Sequence, residues 1–254
     1  MALRLRIAAA AVALLTLGGC SSSAPAETPT SEAPETASGD GRSVLEPGTV
    51  VATGEFSGDP RVTGALSVVI GDTGDYELHL SSFVAAAGVS PQLQVLADDL
   101  PVDGTCIESE WRFGLGAVTS PEQTFVLGGS DDIGQGDLSF LREIAVTQSG
   151  ASADGACPLP FIAHAQLDWT LPDMRPGLSV ADSGPASGAA GEVVLQGREP
   201  LSYTVAAGDS LTAIAARFGI ELDELFYLNP TRSPNPEGST AFTGEVLNLS
   251  RADR

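Results

Sequence analysis

The chain has 254 residues, 33 acidic and 12 basic, for a formal net charge of -21. Every basic residue is arginine and none is lysine; so little positive charge excludes nucleic acid as a partner, because phosphate contacts need clustered Lys or Arg. Aromatic residues make up 6%, so a core must rest mainly on Val, Leu, Ile and Ala.

Arg4 and Arg6 precede an uncharged apolar run of 11 residues, Ile7 to Leu17. A membrane-spanning helix needs about 20 apolar residues, so residues 1–19 read as a signal peptide. The run ends in Leu17-Gly18-Gly19-Cys20, which resembles the lipobox of bacterial lipoproteins. The competing reading is a plain secretory signal with an incidental cysteine; the spacing and the Ser-rich stretch beyond it favour the lipobox. The resemblance implies that the Cys20 thiol is lipidated and holds the protein on the extracytoplasmic face of the cell membrane. Without residues 1–19 the chain has 10 basic and 33 acidic residues, net -23. Residues 20–47 are rich in Ser, Pro, Thr and Glu and cannot bury enough surface to offset ordering entropy. They are expected to form a disordered tether spanning roughly 28 Å.

Over residues 48–172 short apolar runs alternate at period two, as in Leu66, Val68 and Ile70, in Tyr76, Leu78 and Leu80, and in Trp111, Phe113 and Leu115. Ile144 and Val146 continue the pattern, and it ends in Phe161, Ala163, Ala165, Leu167 and Trp169. Such alternation sets one face against a core and one in water, and Gly, Asp, Ser and Pro clusters separate the runs. Seven or eight strands in an antiparallel β-sandwich or barrel are expected, with a short helix at Asp137 to Leu141. Cys106 and Cys157 form an even pair in an exported protein and are expected to be disulfide-bonded.

The same region resembles the DM13 domain through Gly54, Phe56, Gly64, Tyr76-Glu77-Leu78, Phe83, Pro91, Leu93, Val95, Leu115-Gly116, Gln123, Phe125, Leu127, Asp137-Leu138 and Ile144. A redox role has been suggested for that family through a cysteine in a late strand. The matching strand here, Ile144-Ala145-Val146-Thr147, carries none.

Residues 173–200 hold several Pro, Gly and Ser and read as a second linker, with Glu192 to Gln196 as an isolated strand. Beyond it come Tyr203-Thr204-Val205, then Gly208-Asp209-Ser210-Leu211, then Leu211, Ile214, Ala215 and Phe218 at helical spacing. Asp209 or Ser210 can cap this helix, and Gly219 sits where a left-handed residue ends one. A second helix with Leu222, Leu225 and Leu228 stops at Asn229-Pro230, and Gly244-Glu245-Val246-Leu247 opens a last strand. Residues 201–250 therefore resemble a LysM module of βααβ order. The fold class expected is α+β and multi-domain: an all-β domain, then this small module, with disordered linkers.

The resemblance implies a shallow groove that binds N-acetylated glycans, with Gly208, Asp209, Ser210 and Leu211 on one side and Leu228, Asn229 and Pro230 on the other. The bland alternatives are turn and cap chemistry for Gly208 and Asp209, and core packing for Leu211 and Leu228. Thirteen residues, Thr231 to Thr243, separate the Asn-Pro from Gly244, more than in the usual LysM, so this loop extends or obstructs the groove.

No catalytic constellation is legible. By strand parity His79 shares a face with Glu77 and Ser81, and His164 with Gln166 and Asp168, so both are expected to face solvent. Neither has metal-ligand spacing, and Asp98-Asp99 and Asp131-Asp132 read as solvated turn acids. There is no Gly-x-Ser-x-Gly. No metal, cofactor or enzymatic activity is expected. The function expected is that of a cell-envelope lipoprotein binding peptidoglycan or a chitin-like N-acetylglucosamine polymer. The alternative is a redox or enzymatic β domain that the module localises to the wall.

Overall fold

The computed structural model describes residues 43–254, apart from 86, 102–103, 110, 129–133, 149–156, 158 and 233–239. The signal segment, Cys20, most of the tether and Asp131-Asp132 lie outside the described residues.

The alternating runs become strands. Leu66, Val68 and Ile70 point inward from β3 (Thr63–Ile70), and Tyr76, Leu78 and Leu80 from β4 (Tyr76–Val84). With β1 (Val50–Glu55), β7 (Gln123–Gly128) and β10 (Asp168–Trp169) they form an antiparallel sheet in the order β10-β1-β3-β4-β7. A second sheet, β2-β9-β8-β5-β6, holds β2 (Ser57–Gly58), β5 (Pro91–Leu96), β6 (Arg112–Ala117), β8 (Glu143–Gln148) and β9 (Phe161–Gln166). Side chains of both sheets share one buried cluster, including Val68 and Leu78 from the first and Leu93, Val95, Ile144 and Ala163 from the second. Each such aliphatic contributes about 1.5–3 kcal/mol relative to exposure.

The other face of the second sheet is partly covered too. Leu100 and Ile107, from the segment after β5, pack with Leu96, Ala145 and Phe161 into a smaller core. The Cys106–Cys157 disulfide, with Cα atoms 5.6 Å apart, fastens this cover. The Ile107 N–H donates to the Leu159 carbonyl at 2.9 Å and the Phe161 N–H to that of Thr105 at 3.0 Å. The helix expected at Asp137 to Leu141 does not form. A single 3-10 turn spans Gly134–Gly136, and the Asp137 carboxylate accepts from the Ser139 N–H at 2.9 Å, which closes a turn in place of a helix.

The C-terminal module runs β12 (Glu199–Thr204), α1 (Leu211–Phe218), α2 (Leu222–Leu228) and β13 (Val246–Asn248). Ser210 caps α1 by accepting from the Ala213 N–H, and Gly219 ends it in the left-handed region at φ 69°. A capping box between Glu221 and Glu224 starts α2. Buried Leu211, Ile214, Phe218, Leu225 and Leu228 meet Tyr203 and Leu247 beneath the helices.

The second linker departs from expectation. Residues 173–200 are neither disordered nor merely connecting, because their few apolar side chains are buried: Met174, Leu178 and Ala189 belong to the module's core. The strand expected to be isolated, β11 (Glu192–Gln196), pairs antiparallel with β12 and completes a three-stranded sheet. Buried Arg217 ties the linker down: it donates to the carbonyls of Ala189 and Gly191 at 3.0 Å each and pairs with Asp182 at 2.7 Å.

The module also docks on the β domain. The Asp137 carboxylate accepts from the Tyr227 hydroxyl and from the Arg254 guanidinium, both at 2.9 Å. Arg254 lies 4.1 Å above the Tyr227 ring and donates to the carbonyls of Tyr227 and Gly134 at 2.7 and 2.9 Å. Burial, with the Asp137 charge beside it, pushes the Tyr227 hydroxyl up to about 12. Both charged partners are almost wholly buried, so removing one strands the other, at a cost of about 3–5 kcal/mol. Asp137→Ala is expected to lower the denaturation midpoint by that equivalent and to split one unfolding transition into two. Calorimetry checks it; a single unshifted transition would show that the contact does not couple the two parts.

Candidate functional site

The two sides of the expected groove are set by β12 and β13. The Val205 N–H donates to the Glu245 carbonyl at 2.9 Å, and the Gly244 N–H to the Val205 carbonyl at 2.8 Å. This pairing lays the end of the 229–243 loop beside the turn 206–210.

On the first side, Asp209 is a hub. Its carboxylate accepts from the Tyr203 hydroxyl at 2.5 Å, the Ala206 N–H at 2.8 Å and the Ala190 N–H at 2.9 Å. Burial works against its ionisation, but these donors prevail and hold the carboxyl below its ordinary range. The Ser210 N–H donates to the Gly188 carbonyl at 2.9 Å, so the preceding linker lies against this side. Leu211 is buried. In the turn, Ala207, Gly208 and Ser210 are exposed.

On the second side, Leu228 is buried and Pro230 half-buried. Asn229 is a clamp between α2 and β13: its amide donates to the carbonyls of Leu225 and Asn248 at 2.9 Å each and accepts from the Asn248 N–H at 2.7 Å. Phe242 was not singled out from the sequence, yet it stands 56% exposed. Arg232 lies 6.0 Å over its ring and is fixed by Glu245 at 2.6 Å. Exposed on the two loops are thus Ala207, Gly208 and Ser210 on one and the Phe242 ring on the other. A lone aromatic in a Ser-, Thr- and Pro-rich loop is the signal that could have marked it.

The family model of the LysM domain matches residues 203–247. These residues are a LysM domain. No curated protein and no solved structure matches the chain. Glycan binding is what a LysM domain supports, for peptidoglycan or chitin-like polymers. In this LysM domain the side chains of Asp209 and Asn229 are occupied by hydrogen bonds within the fold, and those of Leu211 and Leu228 by the core.

Outside the LysM domain, His79 is partly exposed, with Nε2 2.9 Å from the Glu77 carboxylate. His164 corrects the parity reading: its side chain is only 16% exposed and its Nδ1 lies 2.9 Å from the Glu143 carboxylate. Parity puts both on the outer face of the second sheet, and the segment after β5 covers that face. Asp98 accepts from the Ser109 hydroxyl at 2.6 Å. Among the described residues no group of three His, Cys, Asp or Glu side chains is placed to hold a metal ion.

The Asp209 hub gives the LysM domain an acid limit. A carboxyl whose pKa is depressed on folding adds stability above its unfolded value, 3.8 for Asp, and loses it as pH falls toward the folded value. Asp182, held down first by the Arg217 hydrogen bond, acts in the same sense. Stability is therefore expected to be flat between about pH 5 and 8 and to fall below about pH 4. Asp209→Asn should lower the midpoint at neutral pH and flatten the acid slope, as followed by thermal melts across pH. An unchanged slope would remove Asp209 from this role.

Proposed function

We propose that the protein is a cell-envelope lipoprotein that binds peptidoglycan, through its N-acetylglucosamine-containing glycan, with the LysM domain. The observation that carries this reading is the LysM match over residues 203–247, in βααβ order, with Ala207, Gly208 and Ser210 exposed on one loop and Phe242 on the other. Two five-stranded sheets around a shared core read as a β-sandwich that the tether lifts from the membrane. Cys20 carries the lipid; stable anchoring takes more than one acyl chain, at ~0.8 kcal/mol per buried CH₂. Wall binding needs no reacting group, and none is invoked for it.

Charge cannot drive the binding. Residues 201–254 hold seven acids and four arginines, so a negative module meets a wall that commonly carries anions. Attraction comes from hydrogen bonds and apolar contact and depends little on salt. A single shallow groove is weak, and the membrane tether offsets this by raising effective concentration near the wall.

Two measurements check the reading. The Cys20→Ser chain, freed of lipid, should co-sediment with protein-free sacculi at low and high salt. Phe242→Ala should weaken that binding roughly two- to tenfold, the worth of an aromatic contact, without shifting the melt. Absence of co-sedimentation by folded protein at both salts would overturn wall binding. In cells, the same Cys20→Ser change should move the protein from membrane to medium or leave an unprocessed precursor. Unchanged fractionation and size would overturn the anchor.

A further inference from the structure

Glu143 is an expensive residue for this fold. Its side chain is 4% exposed, under the cover formed by Leu100 and Ile107. Burial pushes its carboxyl up, against the hydrogen bonds from His164 and the Leu100 N–H. An apolar pair of similar shape would serve stability as well or better, so the Glu143–His164 pair asks for another reason.

The other side of His164 supplies one. β2, β9 and β8 are neighbours in the second sheet. The register sets Ser57 directly opposite His164, and His164 directly opposite Ala145, two residues from Glu143. Opposed residues of antiparallel strands project from one face with Cβ atoms about 4.5–5.5 Å apart. Ser57, His164 and Glu143 therefore run in line across three strands. Nδ1 is the ring nitrogen that Glu143 engages, at 2.9 Å. All three residues line one open cleft of about 1140 Å³, and Ser57 is exposed. The Ser57 hydroxyl donates to the His164 carbonyl at 3.4 Å, a long and hence weak bond.

The geometry points to a Ser57–His164–Glu143 triad that hydrolyses neutral carboxylic esters in this cleft. Glu143 fixes the imidazole with Nδ1 protonated, so Nε2 is the base. As Ser57 Oγ bonds to the acyl carbon, its proton passes to Nε2. The C–O bond to the alcohol then breaks, and the imidazolium returns that proton to the departing oxygen. Water repeats the sequence on the acyl-serine, releasing the carboxylic acid and restoring Ser57. The Asp59 N–H donates to the Ile162 carbonyl at 2.9 Å. Because antiparallel ladder bonds alternate, the Gly58 N–H turns away from β9 toward the open edge of the sheet. It is the donor one residue beyond the nucleophile, suited to the oxyanion. A Cβ on Gly58 would meet the Ile162 carbonyl oxygen at 2.9 Å, so glycine is needed there. Substrate class follows from the rest of the lining: Glu55, Asp99 and Asp168 with neither Lys nor Arg. Such a cleft repels phosphates and carboxylates and admits an acyl ester of an uncharged alcohol.

The test uses the full chain with the Cys20→Ser change, a fluorophosphonate probe and p-nitrophenyl acetate. The probe is expected to form an adduct on Ser57. Ser57→Ala, at an exposed edge position, should abolish both adduct and turnover while leaving the melt unchanged. His164→Gln and Glu143→Gln should each slow turnover by roughly 100-fold or more, with folding followed by circular dichroism. Absence of an adduct on Ser57 in folded protein, or turnover that survives Ser57→Ala, would overturn the triad. Sedimentation with sacculi should be the same for Ser57→Ala as for its parent, so the triad and the wall-binding reading fail independently.

Discussion

The buried Asp137 carboxylate is the constraint on which the arrangement of residues 43–254 depends. An isolated charge in that position would be costly, and Tyr227 and Arg254, with the Ser139 N–H, supply its partners. Tyr227 comes from the LysM domain and Arg254 from the segment that follows β13, whereas Asp137 comes from a turn of the β domain. The electrostatic requirement of one side chain thus holds two folding patterns in a single orientation. Where a helix was expected, Asp137 serves a turn and an interface at once.

What was legible in the sequence is what short range dictates. Leu66, Val68 and Ile70 announce a strand because the pleat has period two, and Gly208-Asp209-Ser210-Leu211 with Asn229-Pro230 announces the LysM domain because caps and turns need those residues at that spacing. Residues 208–211 and 228–230 fall in and beside the two loops where the family spacing puts them, and core packing for Leu211 and Leu228 was legible, but the long-range partners of Asp209 and Asn229 were not. Asn229 and Asp209 are saturated by partners 19 residues away in sequence, Asn248 and Ala190, and no local pattern shows that.

The errors have the same origin. Residues 173–200 look like a linker because Pro, Gly and Ser dominate them; their order rests on Met174, Leu178 and Ala189 finding a core made by later residues. His164 was assigned to the right face, but parity is silent on what lies over a face. The Ser57, Glu143 and His164 alignment depends on register among three strands, of which β2 lies more than 80 residues before the other two, and a one-residue slip would undo it. Such a constellation carries no motif that a linear reading can find.

The third strand beside β12 changes what counts as the LysM unit. Cutting the chain at residue 201, where family resemblance begins, would strip β11, leave Arg217 without its Ala189, Gly191 and Asp182 partners, and open the pocket that Met174 and Leu178 fill. The portable piece of this protein is longer than its family boundary. A graft onto another scaffold would have to begin near residue 173 to carry its own foundations, and recombination at the family boundary would yield a domain exposing a raw sheet edge. Here modularity in sequence and modularity in structure are different lengths.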